Sequence, residues 1–193
     1  MNTGKTTPNW YLNREKDMMT YSQIVSFHGH ACPGLAIGYR MATAAMEALT
    51  ASRADDEEIV AIVENNACGV DALQCVTGCT FGKGNLIFHD YGKNVYTVYS
   101  RTTGTGVRVL FNRQGIPKKL RENREELADW ILLASPEDIL LITEVSVEEP
   151  PTARVRKSIP CAFCSEMVME TRLHDVGGKQ ACSPCAKRHG TPQ

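Results

Sequence analysis

The chain has 193 residues, of which 42% are hydrophobic and 22% charged, and its formal net charge is −1. These values fit one ordinary globular domain with a small appendage, and the balanced charge argues against nucleic-acid binding. No stretch approaches the roughly 20 apolar residues of a membrane span, and the first residues lack the apolar core of a secretory signal. Eight cysteines without an export signal favour metal ligands or reactive thiols over disulfides. We therefore expect a cytoplasmic protein that contacts no membrane.

Apolar spacing predicts helices and strands in alternation, followed by two consecutive strands. The second helix is the clearest, because Leu35, Tyr39, Ala42, Met46 and Leu49 follow the spacing of one buried face. The predicted helices are Tyr21 to His28, the Leu35–Leu49 segment, Gly69 to Thr77 and Glu122 to Ala134. The predicted strands are Ile59 to Val63, Leu86 to Phe88, Val95 to Tyr99, Val107 to Phe111 and Ile139 to Ile142, the last with an indistinct end. This pattern predicts an α+β fold with a mixed sheet of about five strands and helices packed on it.

Composition divides the chain into four segments. A polar N-terminal arm (residues 1–19) precedes the α+β core domain (residues 20–149). The prolines at 150 and 151 end the helix and strand pattern, and residues 150–158 form a basic, irregular linker. The last segment, residues 159–193, is a small four-cysteine domain.

The four-cysteine domain contains two Cys-x-x-Cys pairs with seventeen residues between them, Cys161/Cys164 and Cys182/Cys185. This spacing predicts a tetrahedral site with one structural Zn²⁺ per chain, because four sulfurs leave no open position. Two disulfides or an iron–sulfur cluster are the alternatives. A knuckle at Ala162–Phe163, a hairpin tip at residues 175–179 and a helix from Cys182 would make a treble clef finger. Such fingers often bind nucleic acid, and basic residues flank this one, but the near absence of aromatic residues among them favours a protein-interaction module with a solvated basic rim.

A second candidate site begins at residues 27–34, where His28, His30 and Cys32 lie within five positions. If Pro33 is the first helical residue, Cys32 is the N-cap, where backbone N–H groups and the helix dipole stabilise a thiolate. The two imidazoles could share a metal ion with this thiol. A glycine-rich turn with a capping thiol and surface histidines is the other interpretation.

Three more cysteines follow within twelve residues: Cys68, Cys75 and Cys79. Cys68 comes after the first predicted strand, at the strand end where α/β sheets usually carry sites. Cys75 is the best candidate for an inert buried thiol. Glycines surround Cys79 and would let the backbone approach closely.

These segments together resemble the FmdE family, named for the E component of formylmethanofuran dehydrogenase. The first motif is Phe27-His28-Gly29-His30-x-Cys32-Pro33-Gly34, followed by Gly38 and Arg40. The second is Cys68-x-x-Asp71-Ala with Gly78-Cys79-Thr80-x-Gly82-Lys83-Gly84-Asn85. Many family members also carry a four-cysteine finger. The similarity covers about residues 20–147 and 158–190.

The resemblance implies a thioredoxin-like core with a five-stranded mixed sheet, and a treble clef tail. It also implies a core-domain metal or active site. The metal ligands would come from His28, His30, Cys32, Cys68 and Cys79, and the catalytic groups from Cys32, Cys79, Asp71 and Lys83. Such a site would be open and would hold a second metal ion more weakly than the four-cysteine domain. Lys83 could instead be a solvated loop lysine.

Three functions are compatible with these features. The first is a metal-binding accessory protein resembling the FmdE component of a molybdenum or tungsten formylmethanofuran dehydrogenase, with redox-enzyme subunits as partners and no catalysis of that reaction on its own. The second is a stand-alone thiol- or metal-dependent enzyme of anaerobic metabolism. The third is a zinc-finger regulatory or nucleic-acid-binding protein, which the balanced charge disfavours.

We expect the chain to form a homodimer. The edges of the sheet need covering, and an appended finger can contact a partner across a two-fold axis. Sedimentation at micromolar concentration should show twice the mass of the chain, and a monomer would contradict the prediction.

Overall fold

The computed structural model describes residues 19–190, which form two compact units. The first ends at Thr152 and the second begins at Ala153. The division therefore lies within residues 150–158, predicted as a linker. Apart from Met19, the predicted N-terminal arm lies outside the described residues.

The first unit begins with two helices, α1 (Tyr21–His28) and α2 (Pro33–Ala48). Thr20 caps α1 in a reciprocal arrangement: its hydroxyl accepts from the Gln23 N–H, and the Gln23 side chain accepts from the Thr20 N–H. Gly29 ends α1 at a φ of 96°, a conformation that glycine adopts without strain. Helix α2 then begins with Cys32 as its N-cap and Pro33 in its first turn, as predicted.

The rest of the first unit supplies the sheet and its remaining helices. In chain order the elements are β1 (Ile59–Val63), α3 (Gly69–Thr77), β2 (Leu86–Phe88), β3 (Val95–Ser100), β4 (Thr105–Phe111), α4 (Arg124–Leu133), α5 (Pro136–Ile139) and β5 (Leu140–Val145). The strand order is β2-β1-β3-β4-β5; β1 and β2 are parallel, and the other pairs are antiparallel. This confirms the predicted α+β, thioredoxin-like fold with its five-stranded mixed sheet.

Several predicted boundaries move by one to three residues: the strands expected at Val95 to Tyr99 and Val107 to Phe111 are Val95–Ser100 and Thr105–Phe111, and two further shifts have a local cause. The helix expected from Glu122 begins at Arg124, because the Asn123 side chain caps it by accepting from the backbone N–H groups of Glu125 and Glu126. The strand expected from Ile139 begins one residue later, since Ile139 closes α5. That strand continues to Val145, where it still pairs with β4.

The core lies between the helices and one face of the sheet. Alternate strand residues such as Ala61, Val98 and Val109 are fully buried there, together with Met41 and Met46 of α2. Helix α2 packs against α3, α4 and the strands β3 and β4. It is therefore the central helix of the first unit, and its N-terminus is positioned by these contacts. Among the described residues, no helix is long and apolar enough to span a bilayer.

Helices α2 and α3 cross at two glycines, Gly38 and Gly69. A β-carbon at Gly38 would overlap the backbone of Gly69, and one at Gly69 would lie 2.8 Å from the Gly34 carbonyl oxygen. The hydroxyl of Tyr96 also lies against Gly69. The helices can approach this closely only because neither position has a side chain.

The second unit has β6 (Ser158–Pro160) paired with β7 (Met167–Met169), β8 (Leu173–Val176) paired with β9 (Lys179–Cys182), and the helix α6 (Ser183–His189). Gly177 and Gly178, both at positive φ, form the tip of the β8–β9 hairpin, as predicted. Its buried cluster consists of Cys161, Ala181, Cys182 and Cys185. A hydrophobic core this small does not stabilise a fold without a further cross-link such as a metal ion.

The glycine crossing gives a test of packing. Gly38→Ala should lower the free energy of unfolding by about 3 kcal/mol, since overlap with backbone outweighs the gain of about 1 kcal/mol in helix propensity. Gly82→Ala is the matched control: its β-carbon would meet no atom within 4 Å, so the change should stay within about 0.5 kcal/mol. Denaturant titration measures both. Equal free energies of unfolding for the two variants would contradict the close approach of the helices at Gly38.

The segment between the units gives a second test. The Arg101 guanidinium donates to Glu149 at 2.9 Å, to the Pro150 carbonyl at 2.6 Å and to the Pro151 carbonyl at 3.2 Å, and so holds residues 149–151 to the core. The basic residues that follow, at 154, 156 and 157, are exposed. Brief trypsin treatment should therefore cut first at residues 154–157 and release two stable fragments. A first cut inside residues 20–149 would contradict the assignment.

Candidate metal centre

Three side chains of the first unit converge at the N-termini of α2 and α3. His28 ends α1, Cys32 precedes α2 and Cys68 precedes α3. One ring nitrogen of His28 and the two cysteine sulfurs all lie within 4.8 Å of one another. Cys32 is buried and Cys68 half-buried, and the side chain of His28 is 11% exposed. The structure thus brings together residues from two separate segments of the sequence.

Backbone geometry holds the two sulfurs near each other. The Leu35 N–H donates to the Cys32 sulfur at 3.3 Å, as expected for a capping thiol. A β-carbon at Gly34 would lie 3.3 Å from the Cys68 β-carbon, 3.8 Å from the Cys32 sulfur and 3.9 Å from the Cys68 sulfur. Gly34 therefore leaves free the space beside both thiols. Burial raises the pKa of the Cys68 thiol, and the neighbouring Cys32 adds to the effect.

Asp71 fixes the orientation of His28. Its carboxylate lies 2.7 Å from the His28 Nδ1. A proton on Nδ1 satisfies this contact, and it leaves Nε2 as an unprotonated acceptor. The Nε2 atom is buried and has no hydrogen-bond partner. A buried lone pair without a partner is costly unless a ligand binds to it.

The donor set fits a metal ion. Imidazole nitrogen and two thiolates are ligands that suit Zn²⁺ and other soft divalent metals. The Asp71–His28 pair is the outer-shell arrangement that usually orients a ligating histidine. Three protein ligands leave a fourth position open, which is typical of catalytic rather than structural zinc sites.

His30 lies beside this cluster. Its ring packs obliquely on that of His28, with centroids 4.6 Å apart, but the side chain is exposed. It does not belong to the group of three whose ligand atoms lie within 4.8 Å. The His-Gly-His motif thus places one imidazole inside the site and the other at its solvent side.

The structure does not bring Cys79 into this group. Cys79 is fully buried, and its thiol donates to the Ile59 carbonyl at 3.2 Å. Burial raises its pKa to about 11, so it is a protonated core thiol rather than a nucleophile at neutral pH. Cys75 is also buried in the core, as expected.

Lys83 and the loop around it have a structural role. The Lys83 ammonium donates to the carbonyls of Asp55 and Asp56 at 3.2 and 3.1 Å. The Asn85 amide donates to the carbonyls of Asp56 and Ile59, and its oxygen accepts from the Thr80 N–H. The hydrogen bonds from the Gly78–Asn85 motif therefore stabilise the segment from Asp55 that leads into β1.

The second unit holds the other group of potential ligands. The sulfurs of Cys161, Cys164, Cys182 and Cys185 lie within 4.8 Å of one another. Hydrogen bonds from the backbone N–H groups of Cys182 and Cys164 lower the pKa of Cys161 to about 6, and Arg188 lies 3.3 Å from the Cys185 sulfur. Four converging sulfurs with donors directed at them can hold a metal ion in a closed shell.

Comparison with known proteins agrees with this architecture. Residues 27–141 match the family described as FmdE, Molybdenum formylmethanofuran dehydrogenase operon. The chain belongs to the FmdE family. The matched region contains the whole His28/Cys32/Cys68 site and the sheet up to the first part of β5.

The chain is similar to a solved structure and to a curated protein. A tungsten formylmethanofuran dehydrogenase FmdE-like protein from Syntrophus aciditrophicus, solved by crystallography, has a TM-score of 0.65 and 27% identity, over 91% of this chain and 95% of that one. A probable S-adenosyl-L-methionine-binding protein from Archaeoglobus fulgidus is 36% identical over 177 residues, which is 77% of this chain. The chain spans 48% of that relative's length.

Two tyrosines beside the site were not predicted from the sequence. The Tyr21 hydroxyl is buried without a hydrogen-bond partner, and burial and the nearby Cys32 raise its pKa. Burial likewise raises the pKa of Tyr96, with Asp71 and Cys68 adding to the effect. Both phenols stay protonated at neutral pH and can donate a hydrogen bond. Neither lies in the family motifs, so only the three-dimensional structure reveals them.

The Asp71–His28 contact predicts a loss of metal affinity in Asp71→Asn. Without the carboxylate, the His28 ring is less basic and less firmly oriented, so the affinity of the core site should fall about 10–100-fold. Competition with a chromophoric chelator measures this in the full chain. Asp90→Asn is the control, since Asp90 is exposed and lies outside any helix or strand. Equal affinities of the two variants would exclude this role for Asp71.

Proposed function

We propose that this FmdE-family protein is a cytoplasmic metal-binding accessory protein with two sites of different kinds. The core site, formed by His28, Cys32 and Cys68, takes a divalent metal such as Zn²⁺ with one position open. The four cysteines of the second unit take a structural Zn²⁺. The unit they form would dock a redox-enzyme partner or a second copy of the chain.

One observation carries the core-site assignment. The His28 Nε2 atom is buried without a partner and belongs to a side chain whose other nitrogen is fixed by Asp71. Two sulfurs lie within 4.8 Å of one of the two His28 ring nitrogens. A metal ion satisfies all three donors at once, whereas protein atoms leave Nε2 unsatisfied.

The surrounding residues define what the site can do. A proton on His28 Nδ1 satisfies the contact with Asp71, and Nε2 is then available as a ligand. Tyr21 supplies a buried hydroxyl near Cys32 that has no hydrogen-bond partner. The bound metal would supply Lewis acidity at the open position. A metal held by His28, Cys32 and Cys68 would favour a small oxygen- or sulfur-containing ligand, and the Tyr21 phenol could donate a hydrogen bond to it.

The accessory role is supported by the family. Its description refers to the molybdenum formylmethanofuran dehydrogenase operon, and the similar crystal structure is that of a tungsten FmdE-like protein. In this role the core site would bind a metal or pass it to a partner enzyme.

The open position favours a second candidate, a stand-alone metal-dependent enzyme. Three-ligand sites with a vacant fourth position are the usual form of catalytic zinc. The two candidate functions differ in whether the chain needs a partner protein. An accessory protein should co-purify with redox-enzyme subunits, whereas an enzyme should act alone.

The assignment predicts metal content. After anaerobic equilibration with Zn²⁺ and desalting, the wild-type chain should retain two metal ions, one for each group of ligands. Cys32→Ser, Cys68→Ser and His28→Ala should each retain one, because the core site loses a ligand while the four-cysteine unit is unchanged. Elemental analysis measures the ratio of metal to protein.

Cys75→Ser is the matched control, since Cys75 is buried in the core and belongs to neither ligand group. It should retain both ions. A single ion in the wild type, unaffected by the His28 and Cys32 substitutions, would contradict the core site.

A further inference from the structure

The two sulfurs of the core site are also a thiol pair. Cys32 and Cys68 have sulfur atoms within 4.8 Å of each other. A disulfide requires about 2.05 Å between the sulfurs, so the two side chains would rotate to bring sulfurs that lie within 4.8 Å less than about 3 Å closer together. The absent β-carbon of Gly34 would lie within 3.9 Å of both sulfurs. The space through which these sulfurs would move is therefore open.

The other cysteines of the first unit are differently placed. The Cys79 thiol is buried and donates to the Ile59 carbonyl, and Cys75 is buried in the hydrophobic core. Cys68 is the partly exposed thiol among the four of this unit, and Cys32 is the buried one beside it. Access to the attacking thiol favours thiol–disulfide exchange, so the partly exposed Cys68 is the thiol that a disulfide in solution reaches first, with Cys32 beside it to resolve the mixed disulfide.

We propose that Cys32 and Cys68 form a reversible disulfide, and that this modification empties the core metal site. The disulfide itself follows from the geometry of the two thiols. Its effect on the metal rests on the proposed function.

The reaction needs a disulfide oxidant, and a low-molecular-weight disulfide such as oxidised glutathione serves. The Cys68 thiol first gives its proton to solvent, and the minor thiolate form then attacks one sulfur of the oxidant, whose S–S bond breaks and releases one thiol. The Cys32 thiolate then attacks the Cys68 sulfur of the mixed disulfide and releases the second thiol. Two electrons pass from the protein to the oxidant, and the two cysteine protons end on the released thiols.

The bond would remove two of the three ligands. His28 alone cannot retain a divalent metal against water, so oxidation should release the ion. A thiol reductant should restore both sulfurs and the capacity to bind. The closed four-cysteine group of the second unit offers no open coordination position and should react more slowly.

The test uses the full chain with His28→Ala, in which the core site cannot protect its thiols while the four-cysteine unit keeps its metal. After incubation with oxidised glutathione, free thiols are alkylated in acid and the protein is digested with trypsin. The peptide ending at Arg40 should be linked to the peptide ending at Lys83, and fragmentation should place the bond at Cys68. Dithiothreitol should reverse the linkage. His28→Gln repeats the measurement with a side chain of similar size.

Cys68→Ser on the same background should give no linked peptide, whereas Cys75→Ser should leave the linkage unchanged. Glutathione retained on Cys68, a bond from Cys32 to Cys75 or Cys79, or no reaction would each overturn the disulfide. In the wild-type chain, oxidation should release one metal ion for each disulfide formed. A disulfide in the His28 variants together with a wild type that never binds core metal would instead refute the proposed function alone.

Discussion

The close crossing of α2 and α3 is the constraint on which the site depends. Gly38 and Gly69 let the two helices approach until backbone meets backbone, and this brings their N-termini together. Each N-terminus begins at a cysteine, so the crossing determines the separation of the Cys32 and Cys68 sulfurs. Gly34 extends the same contact toward the thiols. A side chain at any of these glycines would push the two sulfurs apart, although His28, Cys32 and Cys68 themselves would be unchanged.

The two groups of potential metal ligands differ in construction as well as in ligands. The four cysteines come from a unit with a very small buried cluster, so a metal bound there would be coupled to folding. The core site belongs to a domain with its own extensive hydrophobic core. This domain does not depend on a metal ion to fold. The candidate ligands of the core site are held by helix ends and by Asp71, so a metal bound there could exchange or act without unfolding the domain. This difference supports a structural role for the four-cysteine group and a functional one for the core site.

Much of the architecture is predictable from local sequence patterns. The apolar run Ile59–Val63 and the segment Gly69–Thr77 have the predicted bounds, because β-branched residues and a closing glycine define them locally. The family resemblance brings His28, Cys32 and Cys68 into consideration together. It does not show that the Cys79 thiol is buried in the core or that the Lys83 ammonium binds backbone carbonyls. Motif spacing carries no information about side-chain direction. The roles of Tyr21 and Tyr96 depend on contacts distant in sequence, which no local pattern contains.

The most direct measurement is anomalous diffraction at the zinc edge from crystals of the full chain grown with Zn²⁺. The account predicts two peaks per chain, one within the four sulfurs of the second unit and one bonded to His28 Nε2, Cys32 and Cys68, with sulfur distances of about 2.3 Å. A single peak in the second unit, with His28 Nε2 bonded to water or protein, would contradict it.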